Sequence, residues 1–182
     1  MCRGVRQTVL ATVTVAATVA ACSQTVTGAA QRADSDVADA TRSYGYVDDR
    51  CGLLDDSSVQ ETLDAAEVTR PYSGAVCQYI LARRSSAGAA STIDVTFSWF
   101  ETGDLERERR LADARGAVLT DLVVERHQGF SARRDTTGAA CSVTAAAGTG
   151  VLSWWVQIRG QKTGDPCAEA EKLMSATLQS DL

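Results

Sequence analysis

The chain has 182 residues and a formal net charge of −5, from 18 Lys and Arg against 23 Asp and Glu, with a single histidine. That length suits one domain with an extension, and the acidic balance argues against a nucleic-acid partner. With one histidine and no C-x-x-C spacing, the sequence gives no ground for a metal or redox centre, and no cofactor is expected.

The first residues, "MCRGVRQ", carry Arg3 and Arg6 and no acid, and residues 8–21, "TVLATVTVAATVAA", are only small, apolar or threonine. A membrane-spanning helix needs about 20 apolar residues, so this run is too short. A basic start, a short apolar core and small residues at its end describe a secretory signal over residues 1–21. The run closes on Val19-Ala20-Ala21-Cys22, which resembles the lipobox of bacterial lipoproteins. In that family the cysteine thiol receives a diacylglyceryl group and becomes the first mature residue. The resemblance implies that Cys22 is lipidated and that Cys2 leaves with the signal. Loss of Arg3 and Arg6 would take the net charge from −5 to −7.

Residues 22–47 are small, polar and aperiodic, and read as a flexible tether. A single domain is expected over 48–182. Ser58 and Glu61 have capping-box spacing, and Val59 and Leu63 give an apolar face, predicting a helix over 58–66. A strand follows at 75–83. Residues 92–100, "TIDVTFSWF", carry the strongest strand signal, with Ile93, Val95, Phe97 and Trp99 on one face. Asp104 is the expected cap of a second helix, with Glu106 and Arg110 as an i,i+4 pair and Leu111, Ala114 and Val118 as the inner stripe. Its run of charge reads as a solvated face.

Further strands are expected at 120–126, 128–134, 140–146 and 150–160. In the last, Trp154 and Trp155 are adjacent and must point to opposite faces. Leu152, Trp154, Val156 and Ile158 form the core side. Trp155, Gln157 and Arg159 form the other, a candidate ligand or partner surface because aromatics beside arginine recur at recognition sites. Burial of Trp155 beneath a loop or helix is the competing reading. Asp165 and Pro166 open a final helix, with Cys167, Ala170, Met174 and Leu178 on one face. The order α-β-β-α-β-β-β-β-α predicts an α+β fold, an antiparallel sheet packed by helices.

Cys51, Cys77, Cys141 and Cys167 in an exported domain read as two disulfides, for which three connectivities exist. The 26-residue spacing of Cys51 from Cys77, repeated between Cys141 and Cys167, favours those pairs.

Taken together, "RCGLLDDSSV", "SWFETGDLERERRLAD", "TGAACSV", "GTGVLSWWVQIRG" and "DPCAEAEKLMSATL" resemble the LprC and LprB group of mycobacterial lipoproteins. That group belongs to a broader actinobacterial family known only as a domain of unknown function. The resemblance covers roughly 49–182 and includes the four cysteines. Where such proteins have tryptophan two residues after the second cysteine, this chain has Tyr79. The resemblance implies a lipid-anchored protein on the extracytoplasmic face of the cell membrane, and it supplies no catalytic residues.

No catalytic constellation is found. "GFSAR" lacks the second glycine of a nucleophile elbow, and "RGQKTG" lacks phosphate-loop spacing. The acid pairs Asp48-Asp49 and Asp55-Asp56 read as turn and cap residues. The expected function is a non-catalytic binding or structural role in the envelope. A lipid, a glycan or an envelope or transporter protein is the expected partner. An exported hydrolase with a site not visible in the sequence is the alternative, and a pocket converging a serine, His127 and a carboxylate would favour it.

Overall fold

The computed structural model describes residues 39–84, 90–134, 137–160 and 164–180. The expected signal, Cys22 and the tether up to residue 38 lie outside the described residues. Among the described residues, no helix is long and apolar enough to cross a membrane.

The first strands among the described residues form a small ribbon, β1 (Tyr46–Val47) and β2 (Arg50–Cys51), turning at Asp48 and Asp49, whose φ angles are 50° and 62°. Aspartate tolerates this left-handed backbone better than most residues. Helix α1 (Asp56–Thr62) follows. Its cap is Asp55, whose carboxylate accepts from Ser58 N at 2.7 Å, rather than Ser58 itself. The helix is therefore shifted towards the N-terminus of the expected 58–66 span. The hydrogen bonds from Ser58 hold the Asp55 carboxyl below the usual carboxylate range.

The residues after α1 form a strand not anticipated from sequence, β3 (Glu67–Tyr72). It contains Pro71 and a register shift between Thr69 and Tyr72. Proline is tolerated there because β3 is an edge strand. Then come β4 (Val76–Arg84), β5 (Ala90–Phe100), α2 (Leu105–Ala114), β6 (Val118–Val124), β7 (His127–Arg133), β8 (Ala140–Ala147), β9 (Gly150–Gly160) and α3 (Pro166–Gln179). Strands β3 to β9 make one seven-stranded antiparallel sheet in the order β3-β4-β5-β9-β8-β7-β6. The expected elements are present. The three additional strands make the fold more β-rich than the expected α+β balance.

The central pair β5–β9 has the alternation that the sequence displays. Ile93, Val95 and Phe97 on β5, and Leu152, Trp154, Val156 and Ile158 on β9, all face the core. Helix α3 covers them with Ala170, Leu173, Met174 and Leu178, and α1 adds Val59 and Leu63. Trp154 is fully buried, its ring 4.9 Å from Phe97 and 6.3 Å from Tyr79, and its indole N–H donates to Thr177 Oγ1 at 2.9 Å. Tyr79 thus fills an aromatic core position.

The folded region starts before the expected boundary at residue 48. Tyr44 is fully buried in the main core, and its hydroxyl donates to the Asp39 carboxylate. Asp39 also accepts from Gly148 N at 2.9 Å, while the Arg42 carbonyl accepts from Thr149 N and the Arg42 guanidinium donates to the Ser180 carbonyl. Gly148 has φ +53°, and a Cβ there would run into the Arg42 carbonyl oxygen. Residues 39–47 are therefore a strap on the domain rather than tether. They look disordered in sequence because their order comes from side-chain burial and isolated hydrogen bonds, not from a periodic pattern.

The disulfides join Cys51 to Cys77 and Cys141 to Cys167. The second ties β8 to the first turn of α3. There Asp165 caps the helix, accepting from Cys167 N at 3.1 Å and from Arg133 at 2.6 Å. The Arg133 guanidinium keeps the Asp165 carboxyl below its ordinary pKa. Each bridge closes a loop with a sequence separation of 26. The double variant Cys141→Ala/Cys167→Ala is expected to lose roughly 3.5 kcal/mol of unfolding free energy by loop-closure entropy. Urea denaturation would measure this, and a loss below about 1 kcal/mol would contradict it.

Candidate functional site

The face of the sheet opposite α1 and α3 holds the candidate site. Antiparallel register sets its floor in two rows. In one, Ser98 of β5 stands opposite Ser153 of β9, then Thr144 of β8, then Phe130 of β7. In the next, Thr96 stands opposite Trp155, then Ser142, then Ala132. The hydroxyls of Thr144 and Ser153 are hydrogen-bonded at 2.9 Å. Gln157 and Ala140 continue the floor beyond Trp155.

Helix α2 forms one wall. Its partly buried positions are Leu105, Glu108, Arg109 and Ala112, an i, i+3, i+4, i+7 stripe. Arg109 lies 5.2 Å from the centre of the Phe130 ring and forms an ion pair with Asp121 of β6. The expected inner stripe of Leu111, Ala114 and Val118 instead faces water; Val118 is 72% exposed. The cause is that α2 has no fully buried residue and does not seal the sheet. Two of its inward residues are charged, so an apolar-stripe criterion selects the wrong side of the helix.

Between α2 and the sheet lies a cleft of ≈ 460 Å³. Ser98, Ser142, Thr144 and Ser153 line its floor with Trp155 and Gln157. Phe100 and Phe130 are the other aromatic lining residues, and Glu108, Arg115 and Arg134 bring charge to it. Arg115 and Arg134 are exposed. The volume falls in the range of small-molecule sites, about 300–1,000 Å³.

Of the three residues expected on this surface, Trp155 and Gln157 line the cleft and are partly exposed. Arg159 does not line it. Its guanidinium is held by Asp94 on β5, at 2.5 Å through Nε and 2.6 Å through Nη2. This pair satisfies the arginine outside the site. The hydroxyl floor and the Arg115 and Arg134 pair were not anticipated from sequence. The outward alternation of β5 and β8 would have indicated Ser98, Ser142 and Thr144. Nothing local would have brought the two arginines together.

His127 is elsewhere. It is buried, with Nδ1 3.0 Å from the Ala146 carbonyl oxygen and 3.8 Å from Asp39. Its place in β7, three residues from Phe130, puts it on the opposite face from the cleft.

A family model described as "Protein of unknown function (DUF3558)" matches residues 17–180. The chain is 23% identical over 134 residues to a Mycobacterium leprae (strain TN) protein named "Putative lipoprotein LprB", covering 71% of this chain and 69% of that protein. No solved structure matches.

Proposed function

The chain belongs to the DUF3558 family of proteins of unknown function, and from that premise we propose that it is a lipid-anchored lipoprotein of the cell envelope whose domain binds a ligand without catalysis. The anchor reading rests on Val19-Ala20-Ala21-Cys22 after a short apolar run, and the lipoprotein name of the Mycobacterium leprae relative agrees with it. Cysteine bookkeeping also supports it. Cys51, Cys77, Cys141 and Cys167 pair with one another, so none of them requires Cys22 as a partner. Two acyl chains on Cys22 would hold the protein durably at the extracytoplasmic face of the membrane, because each buried CH₂ contributes about 0.8 kcal/mol.

The observation that carries the binding half is the cleft beneath α2, with Trp155 in its floor. A hydrolase would need a nucleophile beside a base. The chain's one histidine is buried on the other side of the sheet from the cleft serines, which favours the non-catalytic reading. Partners of the cleft would come from the envelope: a lipid, a glycan or another envelope protein.

The anchor is tested by expressing Cys22→Ala with radiolabelled palmitate. The parent chain is expected to incorporate label and partition into detergent, and the variant to lose both. Equal labelling of the two would overturn the anchor.

A further inference from the structure

We propose that the cleft between α2 and the sheet binds a carbohydrate bearing an anionic group, with Trp155 as the stacking platform and Arg115 and Arg134 receiving the charge. This rests on the reading of the cleft as a binding site and names what fills it.

The floor excludes the most obvious alternative for a membrane-anchored protein, an acyl chain. Ser98, Ser153, Thr144 and Ser142 put four hydroxyls across three neighbouring strands. Thr144 and Ser153 bond each other, but a hydrocarbon over Ser98 and Ser142 would strip their water and return no hydrogen bond, which is costly for each group. A sugar offers alternating donors and acceptors at the spacing of such side chains. Hydroxyls suit this role because each donates one hydrogen bond and accepts others.

Trp155 supplies what the hydroxyls lack. It stands in the row beside them, between Thr96 and Ser142, and is partly exposed in the floor. An indole face is a flat apolar surface that covers the C–H face of a pyranose while the ring's edge remains free for polar contact. The neighbouring Trp154, by contrast, is fully committed to the core.

Charge then selects among sugars. Arg115 and Arg134 line the cleft, and neither forms an ion pair with another side chain among the described residues. Glu108 is the one acidic residue among those that line it. The cleft therefore carries a net positive charge in a chain whose net charge is −5. Two guanidiniums lining a polar cleft fit a carboxylate or a phosphate, which guanidiniums can grip by paired N–H donors. A uronic acid and a phosphorylated sugar present this same chemistry, whether free or carried on a lipid.

The test uses the full chain with Cys22→Ala, so that no acyl group competes, and follows the three tryptophan indole N–H resonances by NMR. The probes are trigalacturonate, glucose 6-phosphate, maltotriose, inorganic phosphate and vesicles of phosphatidylglycerol. Trigalacturonate or glucose 6-phosphate is expected to shift the Trp155 signal and leave Trp154 in place. Arg115→Ala/Arg134→Ala should weaken that binding by at least about tenfold, as expected for loss of charge-assisted hydrogen bonds. Trp155→Ala should abolish it, with binding then followed by calorimetry. If maltotriose or phosphate alone acts as strongly, or only the vesicles shift Trp155, the ligand class is wrong while the cleft remains a binding site. If no probe moves Trp155, both the ligand class and the cleft reading fall.

Discussion

Trp154→Ala should lower the unfolding free energy by about 3–5 kcal/mol, the range for deleting a large aromatic from a packed core. The residue is fully buried between Phe97, Tyr79 and α3, so its removal leaves a cavity that three elements line. Its indole N–H is also satisfied within the core, by Thr177 Oγ1 at 2.9 Å. Thr177→Val should therefore cost about 1–3 kcal/mol by orphaning that donor, although it changes little volume. Trp155→Ala, one residue along, should cost only about 1 kcal/mol, because it removes a partly exposed side chain from a surface cleft. Urea denaturation of the three variants checks the order. Equal losses for the two tryptophan variants would mean that Trp155 is a core residue and would remove the platform from the cleft.

Arg83→Met should destabilise the domain by a similar amount, about 3–5 kcal/mol, through a different mechanism. Arg83 lies on the core side of β4 with its side chain 13% exposed, and its Nη1 is 3.0 Å from Glu169 Oε1, whose side chain is 6% exposed. The same guanidinium donates through Nε to the Leu63 carbonyl at 2.9 Å, at the C-terminal cap of α1. One residue thus joins β4, α1 and α3. Removing it strands a buried carboxylate, to which, among the described residues, only the exposed Lys172 remains bonded, at 3.1 Å. Glu169→Gln should cost less, since Arg83 keeps Leu63 and an uncharged acceptor.

The double variant Arg83→Met/Glu169→Leu should recover a large part of the loss, because a desolvated ion pair is often replaced by apolar side chains at little net cost. A double-mutant cycle in urea measures the coupling. Arg83→Met costing under about 1 kcal/mol, or a double variant no better than the single one, would refute the account.

Local signals accounted for most of the elements. Asp104, Asp165 and Pro166 marked two helix starts correctly, because a cap acts within one helical turn. Alternation on β5 and β9 gave the core face, because adjacent strand residues must point in opposite directions. The two disulfide pairs followed the equal spacing. Elements of low contrast were missed. β3 carries a proline and has no apolar alternation, and it is a strand because β4 offers it an edge. The strap at 39–47 is ordered by one buried tyrosine and by contacts with residues about a hundred positions away.

The candidate site divides along the same line. By itself the sequence determined that Trp154 and Trp155 diverge, that four cysteines stand at two equal spacings in the domain and that Val19-Ala20-Ala21-Cys22 has the form of a lipid-attachment stretch. Each is a property of neighbouring residues or of fixed spacing. Only the tertiary structure decided which side of α2 faces the sheet and that Arg159 is occupied by Asp94. It alone brought Ser98, Ser142, Ser153, Arg115 and Arg134 around one cleft. These residues come from five separate stretches of chain. Their meeting is set by strand order and by a helix that stands off the sheet, and neither is a local property of any segment.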